Sequence, residues 1–219
     1  MKNPTTVLPD FIRRLQLELQ KPLPGIVAHR LMEPATRRNF ESNWSHPTSP
    51  RQSAVLILLF PENEDIKTIF IQRNIYDGVH SGQIAFPGGR YELFDKNLIN
   101  TALRETEEEV GVATAAIHPI GQLTKIYIPP SNFDVLPVVG WTPKAPILKI
   151  DPMEVSAAFC VSLSQLIDPV CKREEEIMLS NKQRLTVPCF TVDDKIIWGA
   201  TSMILNEFVE IISPIYNIA

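Results

Sequence analysis

A chain of 219 residues with 44% hydrophobic side chains carries enough apolar material for one sizeable core. A net charge of -4 excludes the broad basic footprint of a protein that holds nucleic acid through nonspecific phosphate contacts. The three cysteines, Cys160, Cys171 and Cys189, contain no CxxC pair, so neither a disulfide framework nor a zinc cluster is expected and a reducing compartment fits.

The opening MKNPTTVLPDFIRR lacks the apolar stretch of a secretory signal, and the closing YNIA is no peroxisomal signal. The longest strongly apolar run, residues 54–60, is strand-sized and too short to span a bilayer, so a soluble cytoplasmic protein without a membrane or nucleic-acid partner is expected. Residues 9–20 place Phe11, Ile12, Leu15, Leu17 and Leu19 at a spacing that predicts a short helix. Residues 21–52, rich in Pro, Asn, Ser and Arg, predict an extended arm, so that residues 1–52 form a helix and arm packed on a domain spanning 53–219.

The β-rich runs AVLILLF (54–60) and KTIFIQR (67–73) predict paired strands around the turn-forming PENED. GQIAFPGG (82–89) predicts a strand ending in a Pro-Gly-Gly turn, and residues 96–110 have helical periodicity with Gly111 as the cap. VLPVVGW (135–141), EVSAAFCV (154–161), RLTVPCF (184–190) and KIIWG (195–199) predict strands, KREEE (172–176) a solvated charged segment, and residues 200–212 an apolar closing helix. Mixed strands with a few helices give an α/β (α+β) sandwich. The closing helix and the N-terminal arm are candidate surfaces for a homodimer.

Within the predicted helix, RETEEEVG (104–111) sets four glutamates in five positions. Like charges about 5 Å apart repel by roughly 3 kcal/mol at an effective dielectric near 20, so the crowding needs a cation unless the face is simply solvated. At about 100° per residue, Glu105, Glu108 and Glu109 fall within one arc of about 100°, whereas Ile99, Leu103, Thr106 and Val110 gather on another side and face the core. Glu107 points away from both groups. The trio also sits near the negative pole of its helix. Arg104 can hold Glu108, but one cation does not balance three carboxylates, and a hard divalent ion such as magnesium or manganese does. Upstream, Pro87-Gly88-Gly89 lets backbone approach a metal or phosphate with no side chain in the way.

GGRYELFDKNLINTALRETEEEVGV (88–112) resembles a Nudix box, G-x5-E-x7-R-E-U-x-E-E-x-G-U, with Gly89, Arg104, Glu105, Glu108, Glu109, Gly111 and Val112 at motif positions. Asp95 stands in for the first glutamate, with eight rather than seven residues between it and Arg104, and Thr106 takes a usually aliphatic position. The aspartate and the added residue are similar to the coenzyme A pyrophosphatase branch of the Nudix hydrolases. That likeness continues through LPGIVAHRLMEP (23–34), HSGQIAFPGGR (80–90), SNFDVLPVVG (131–140), DPMEVSAAFCVSLSQLIDP (151–169) and IWGAT (197–201). A further motif of that branch keeps Arg73, Gly82 and the run 86–89, but Gly78 stands where a second arginine is expected and Asn74-Ile75 replaces a pair of small residues.

The resemblance implies a Nudix-type α/β/α sandwich with a mixed β-sheet and a metal-dependent pyrophosphohydrolase. It implies magnesium or manganese on Glu105, Glu108, Glu109 and the carbonyl of Gly89, a water proton taken by Glu105 or Glu108, and Arg104 as an orienting residue. Arg73, Arg90 and Gly88 become the expected substrate contacts. The implied substrate is coenzyme A or an acyl derivative, cut to the (acyl)phosphopantetheine and adenosine 3',5'-bisphosphate. The glycine at 78 keeps NADH, ADP-ribose or a dinucleoside polyphosphate as the alternative. A noncatalytic nucleotide-binding module is the reading from another class, and the intact carboxylates speak against it, because a module released from catalysis has no physical reason to keep them. His29, His46, His80 and His118 lack ligand spacing and are expected to be structural or solvated. Trp198 and Phe133 are expected to be packing residues, with an aromatic near the site able to stack on adenine.

Overall fold

The structure, a computed structural model, describes residues 4–35, 37, 49–78, 80–178 and 183–216, with side chains from Leu8 onward. Helix α1 (Pro4–Glu18) turns Leu8, Phe11, Ile12 and Leu15 inward at the i, i+3, i+4, i+7 spacing and leaves Leu17 exposed. The stretch expected to be an extended arm instead contains a second helix, α2 (Gly25–Leu31). Seven residues are too few for a helix to persist on propensity, and α2 is held by burying Ala28 and His29 against the C-terminal helix. The rest of the arm from 38 to 48, with His46, lies outside the described residues.

Strand β1 (Arg51–Glu62) follows the period of two: Ala54, Leu56, Leu58 and Phe60 face one core cluster, Ile57 and Leu59 the other. Burial on both faces explains its unbroken apolar run. The expected turn at PENED shrinks to Asn63-Glu64, both with positive φ (50° and 67°), and the flanking residues extend β1 and β2 (Asp65–Arg73) into a hairpin closed by the Glu62 and Asp65 pair.

The single strand expected over 82–89 is split. Ile84–Ala85 (β3) pairs with β2, and Gly88–Arg90 (β4) pairs with the start of β1, with Leu56 N donating to Pro87 O between them at 2.8 Å. The next helix, α3 (Leu98–Val110), begins later than the periodicity suggests, because Lys96 has φ 62° and Asn97 is the N-cap, its Oδ1 accepting Asn100 N at 2.9 Å. Gly111 closes it in the left-handed conformation, φ 74°.

Short strands β5 (His118–Gln122) and β6 (Ile126–Ile128) then pair with β7 (Phe133–Trp141), and β8 (Val155–Ser162) pairs with β2. After α4 (Leu163–Ile167) come β9 (Lys172–Met178), β10 (Arg184–Val192) and β11 (Lys195–Trp198), an antiparallel three-stranded sheet in the order β11-β10-β9. KREEE is therefore both largely solvated and a strand, an edge whose backbone pairs with β10 while Lys172 Nζ turns back to donate to Asn206 Oδ1 at 2.7 Å. Helix α5 (Ala200–Tyr216) closes the chain.

The main sheet is mixed, since β1 and β7 run parallel and its other pairs antiparallel. Helix α3 covers one face through Ala102, Leu103 and Val110, while α1 and α5 cover the other, giving an α/β/α arrangement. The apolar face of α5, including Ile204, Leu205, Phe208 and Ile212, lies inside the chain's own core. No helix among the described residues is long and apolar enough to cross a membrane.

Candidate functional site

Strand β4 lies beside the start of β1 and against α3, which sets the Gly88-Gly89 backbone directly over the helix face that carries the glutamates. Gly88 has φ 149°, and a Cβ there would meet Val55 Cα at 2.5 Å, so only glycine permits this approach. A Cβ on Gly89 would lie 2.6 Å from Oε1 of Glu105, so the bare backbone makes room for that carboxylate.

Glu109 is 3% exposed, and its Oε2 accepts Gly88 N at 2.8 Å. Burial pushes its carboxyl up to about 7, against the opposing pull of the Gly88 N–H and Arg73. Burial likewise raises Glu105, against the nearby Arg104. Glu108 is the outer member of the trio, 53% exposed and paired to Arg104 Nη1 at 2.7 Å. Glu107, as its position on the helix predicts, turns away and accepts Thr114 N at 2.9 Å.

Arg104 is more heavily engaged than its place beside Glu108 suggests. It donates to Asp95 through Nε at 2.7 Å and Nη2 at 3.1 Å, to Glu105 at 2.8 Å, to Glu108 at 2.7 Å and to the carbonyl of Arg90 at 3.0 Å. One guanidinium thus serves three carboxylates, and among the described residues no three acidic, His or Cys side chains stand in a metal-ligating arrangement. The repulsion expected to demand a divalent ion is here met in part by Arg104, and Glu109 is the carboxyl it leaves out.

Both box departures have local reasons. The added residue is taken up by a 3-10 turn, Leu93–Asp95, in which Asp95 Oδ2 accepts Glu92 N and Thr101 Oγ1, each at 2.9 Å. Asp95 is 4% exposed, and the Arg104 guanidinium holds its carboxyl below the ordinary range. Thr106 is fully buried and satisfies its hydroxyl on Ala102 O at 2.7 Å, so it fills the aliphatic position without an orphan donor.

Arg73 reaches the carbonyl of Gly88 at 3.3 Å, whereas the Arg90 side chain is exposed at the strand edge. Both line a cleft of about 1200 Å³ between the main sheet and the three-stranded sheet, with Ile177, Ile196 and Trp198 on its far wall. His80 lines it too, half-buried, with Nδ1 3.1 Å from Gln83 Oε1 and its basicity lowered by burial. His29 is buried against Glu207, and His118 lies against the Trp141 ring, both outside the cleft.

Sequence reasoning missed Glu154. It is exposed, yet close enough to raise both Glu105 and Glu109 electrostatically. Its loop is fastened to the end of α3 by Lys149 N to Val110 O (2.9 Å) and Asp151 N to Glu109 O (3.1 Å), and to the β2 exit by Asn74 N to Glu154 O (3.2 Å). No local pattern signals this, because the contact joins residues far apart in the chain.

Known proteins resemble this chain in sequence and in fold. The family model described as NUDIX domain matches residues 50–180, more than half the chain. The chain is 34% identical over 160 residues to the uncharacterized Nudix hydrolase NudL of Yersinia enterocolitica, covering 73% of this chain and 70% of that protein. It is 28% identical over 207 residues to NudL of Yersinia pestis, 94% of this chain and 95% of that protein. Among solved structures, RenU, a Nudix hydrolase from M. smegmatis, shares the fold with a TM-score of 0.55 over 84% of this chain and 94% of that one, at 12% identity.

Proposed function

Because the chain belongs to the Nudix family of hydrolases that act on pyrophosphate bonds, we propose that it cleaves the diphosphate of coenzyme A or an acyl derivative, releasing the (acyl)phosphopantetheine and adenosine 3',5'-bisphosphate. The observation that carries this reading is the meeting of two carboxylates, Glu105 and Glu109, with the Gly88-Gly89 backbone, which lines the cleft together with Arg73. The choice of coenzyme A rests on the segments similar to that branch.

Glu105, Glu108 and Glu109, with the carbonyl of Gly89, would hold magnesium or manganese. The fit rests on hard oxygen donors and on Glu109, a buried carboxyl with one N–H partner whose ionised form a divalent cation would favour. Such an ion shields phosphate charge and lowers the pKa of a bound water. Arg104 fixes the orientation of Glu105 and Glu108 while Asp95 fixes Arg104. Arg73 and Arg90 contact the diphosphate, and the Gly88 backbone lets it approach closely. The proton of the attacking water passes to Glu105 or to Glu154, whose charge acts on Glu105.

Incubation with coenzyme A, an acyl-coenzyme A, NADH, ADP-ribose and a diadenosine polyphosphate, followed by chromatography of the products, tests the reading. Coenzyme A compounds should be cut only with magnesium or manganese present, and Glu105→Gln and Glu109→Gln should each lower kcat by about a hundredfold or more. Efficient cleavage of ADP-ribose with coenzyme A untouched would sink the substrate assignment. Loss of the acid limb of the pH profile in Glu154→Gln, with the limb kept in Glu105→Gln, assigns the proton to Glu154; the reverse pattern assigns it to Glu105.

A further inference from the structure

The segment between β2 and β3 carries an aromatic ring that neither the core nor the carboxylate site uses. Tyr76 is 47% exposed, whereas Phe70 and Phe86 nearby are buried, and it lines the cleft together with Arg73, Gly78 and His80. Its backbone is held in place. Tyr76 N donates to Ser81 Oγ at 2.9 Å, Gly82 N to Asn74 O at 3.1 Å, and Asn74 Nδ2 to Pro152 O at 3.0 Å.

Gly78 lies directly against this ring. A Cβ there would stand 2.8 Å from Tyr76 Cδ2 and nearer still to Cε2. Gly78 is not among the residues with positive φ, so a side chain there would displace the Tyr76 ring without straining the backbone. Where the coenzyme A pyrophosphatase pattern expects an arginine, the side chain would have to begin inside the space that the Tyr76 ring now fills.

Resting on the nucleotide-diphosphate reading above, we infer that Tyr76 is the platform on which the base of the substrate stacks, with Gly78 bare so that the ring can lie over it. The same segment begins at Arg73, whose guanidinium reaches the Gly88 carbonyl, so a cation for phosphate and a flat π-face share one stretch of chain. Stacking accepts any base, and it acts on the base rather than on charge. Two other aromatics of the cleft are less available. The Phe133 ring is covered by the Arg51 guanidinium at 4.1 Å, and Trp198 is half-buried in β11 on the far wall.

Calorimetric titration of the intact protein with adenosine 5'-monophosphate and with ribose 5-phosphate, in magnesium buffer, separates base from phosphate. Tyr76→Ala should weaken the nucleotide by about tenfold and leave ribose 5-phosphate unchanged, the size expected for one stacked base. Tyr76→Phe should keep wild-type affinity, and Gly78→Ala, which displaces the ring, should repeat Tyr76→Ala. The inference is overturned if Tyr76→Ala leaves nucleotide affinity intact, if it weakens both ligands equally, or if Trp198→Ala carries the loss instead. Binding is read without turnover, so a failed coenzyme A assay and a failed platform give different results.

Discussion

Glu109 receives one backbone N–H at 2.8 Å while only 3% exposed, and a carboxyl so short of donors holds its proton up to about pH 7. Its ordinary value is 4.5. Between the two, the folded protein keeps a proton that the unfolded chain has released, so stability is greatest below this window and is lost as pH rises through it. Glu105, raised by the same cause, adds to the effect with the same sign. In metal-free buffer the urea midpoint should fall between pH 5 and pH 8. Glu109→Gln should flatten that fall and gain roughly 1–3 kcal/mol over wild type at pH 8. Saturating magnesium should restore wild type by binding the ionised form. A fall that persists undiminished in Glu109→Gln would show that another group drives it. The helical spacing of Glu105, Glu108 and Glu109 was readable in the sequence, and so was the outward turn of Glu107. What was hidden is the inequality among the three: Glu109 is buried because β4 lies over it, and Glu108 is drawn outward by Arg104.

Helix α3 shows which element-level features a sequence displays. Its C-terminal cap, Gly111, and its buried stripe are local and follow from spacing, whereas its N-cap, Asn97, lies inside the span that periodicity alone assigns to the helix. The turn before it is local too, but its product is not. Asp95, shorter than the glutamate it replaces, reaches Arg104 only because Leu93–Asp95 winds into a 3-10 turn that also positions Glu92 N and Thr101 Oγ1 on the same carboxylate. Asp95→Asn keeps the shape and removes the charge, leaving Arg104 balanced only by Glu105 and Glu108. It should cost about 1–3 kcal/mol in urea unfolding and lower kcat about tenfold with KM little changed, since Arg104 positions the carboxylates and does not itself bind substrate in this reading. The Asp95 carboxyl is held below its ordinary range, so its contribution is present at neutral pH and is lost as pH falls through the lowered value; wild type and Asp95→Asn should converge in stability at low pH. Two of the elements that escaped sequence reading, α2 and β9, have in common that distant partners define them: α2 rests on α5, and β9 is a run of charges made into a strand by β10.

At the scale of the whole molecule, the two ends of the chain hold each other through one buried carboxylate. Glu207 of α5 is 0% exposed and accepts Gly25 N at 3.1 Å, Thr124 Oγ1 at 2.6 Å and Thr124 N at 3.2 Å, with His29 Nε2 2.9 Å away. Its neighbour Asn206 donates to Ala28 O at 2.8 Å. A segment read as an extended arm is thus tied to the closing helix and to the loop between β5 and β6. The one sign of this in the sequence is a polar pair, Asn206 and Glu207, set inside a largely apolar helix, and the partners of Glu207 are more than eighty residues away along the chain. Glu207→Ala removes the acceptor and leaves buried donors on Gly25, Thr124 and His29 without a partner, so about 3–5 kcal/mol should be lost in urea unfolding. Glu207→Gln, which keeps an acceptor oxygen, should lose less. The network does not line the cleft, so kcat per folded molecule should stay at the wild-type level in both variants. A loss below about 1 kcal/mol for Glu207→Ala would mean that water replaces the missing carboxylate, and then α2 is held by the apolar contacts of Ala28 alone.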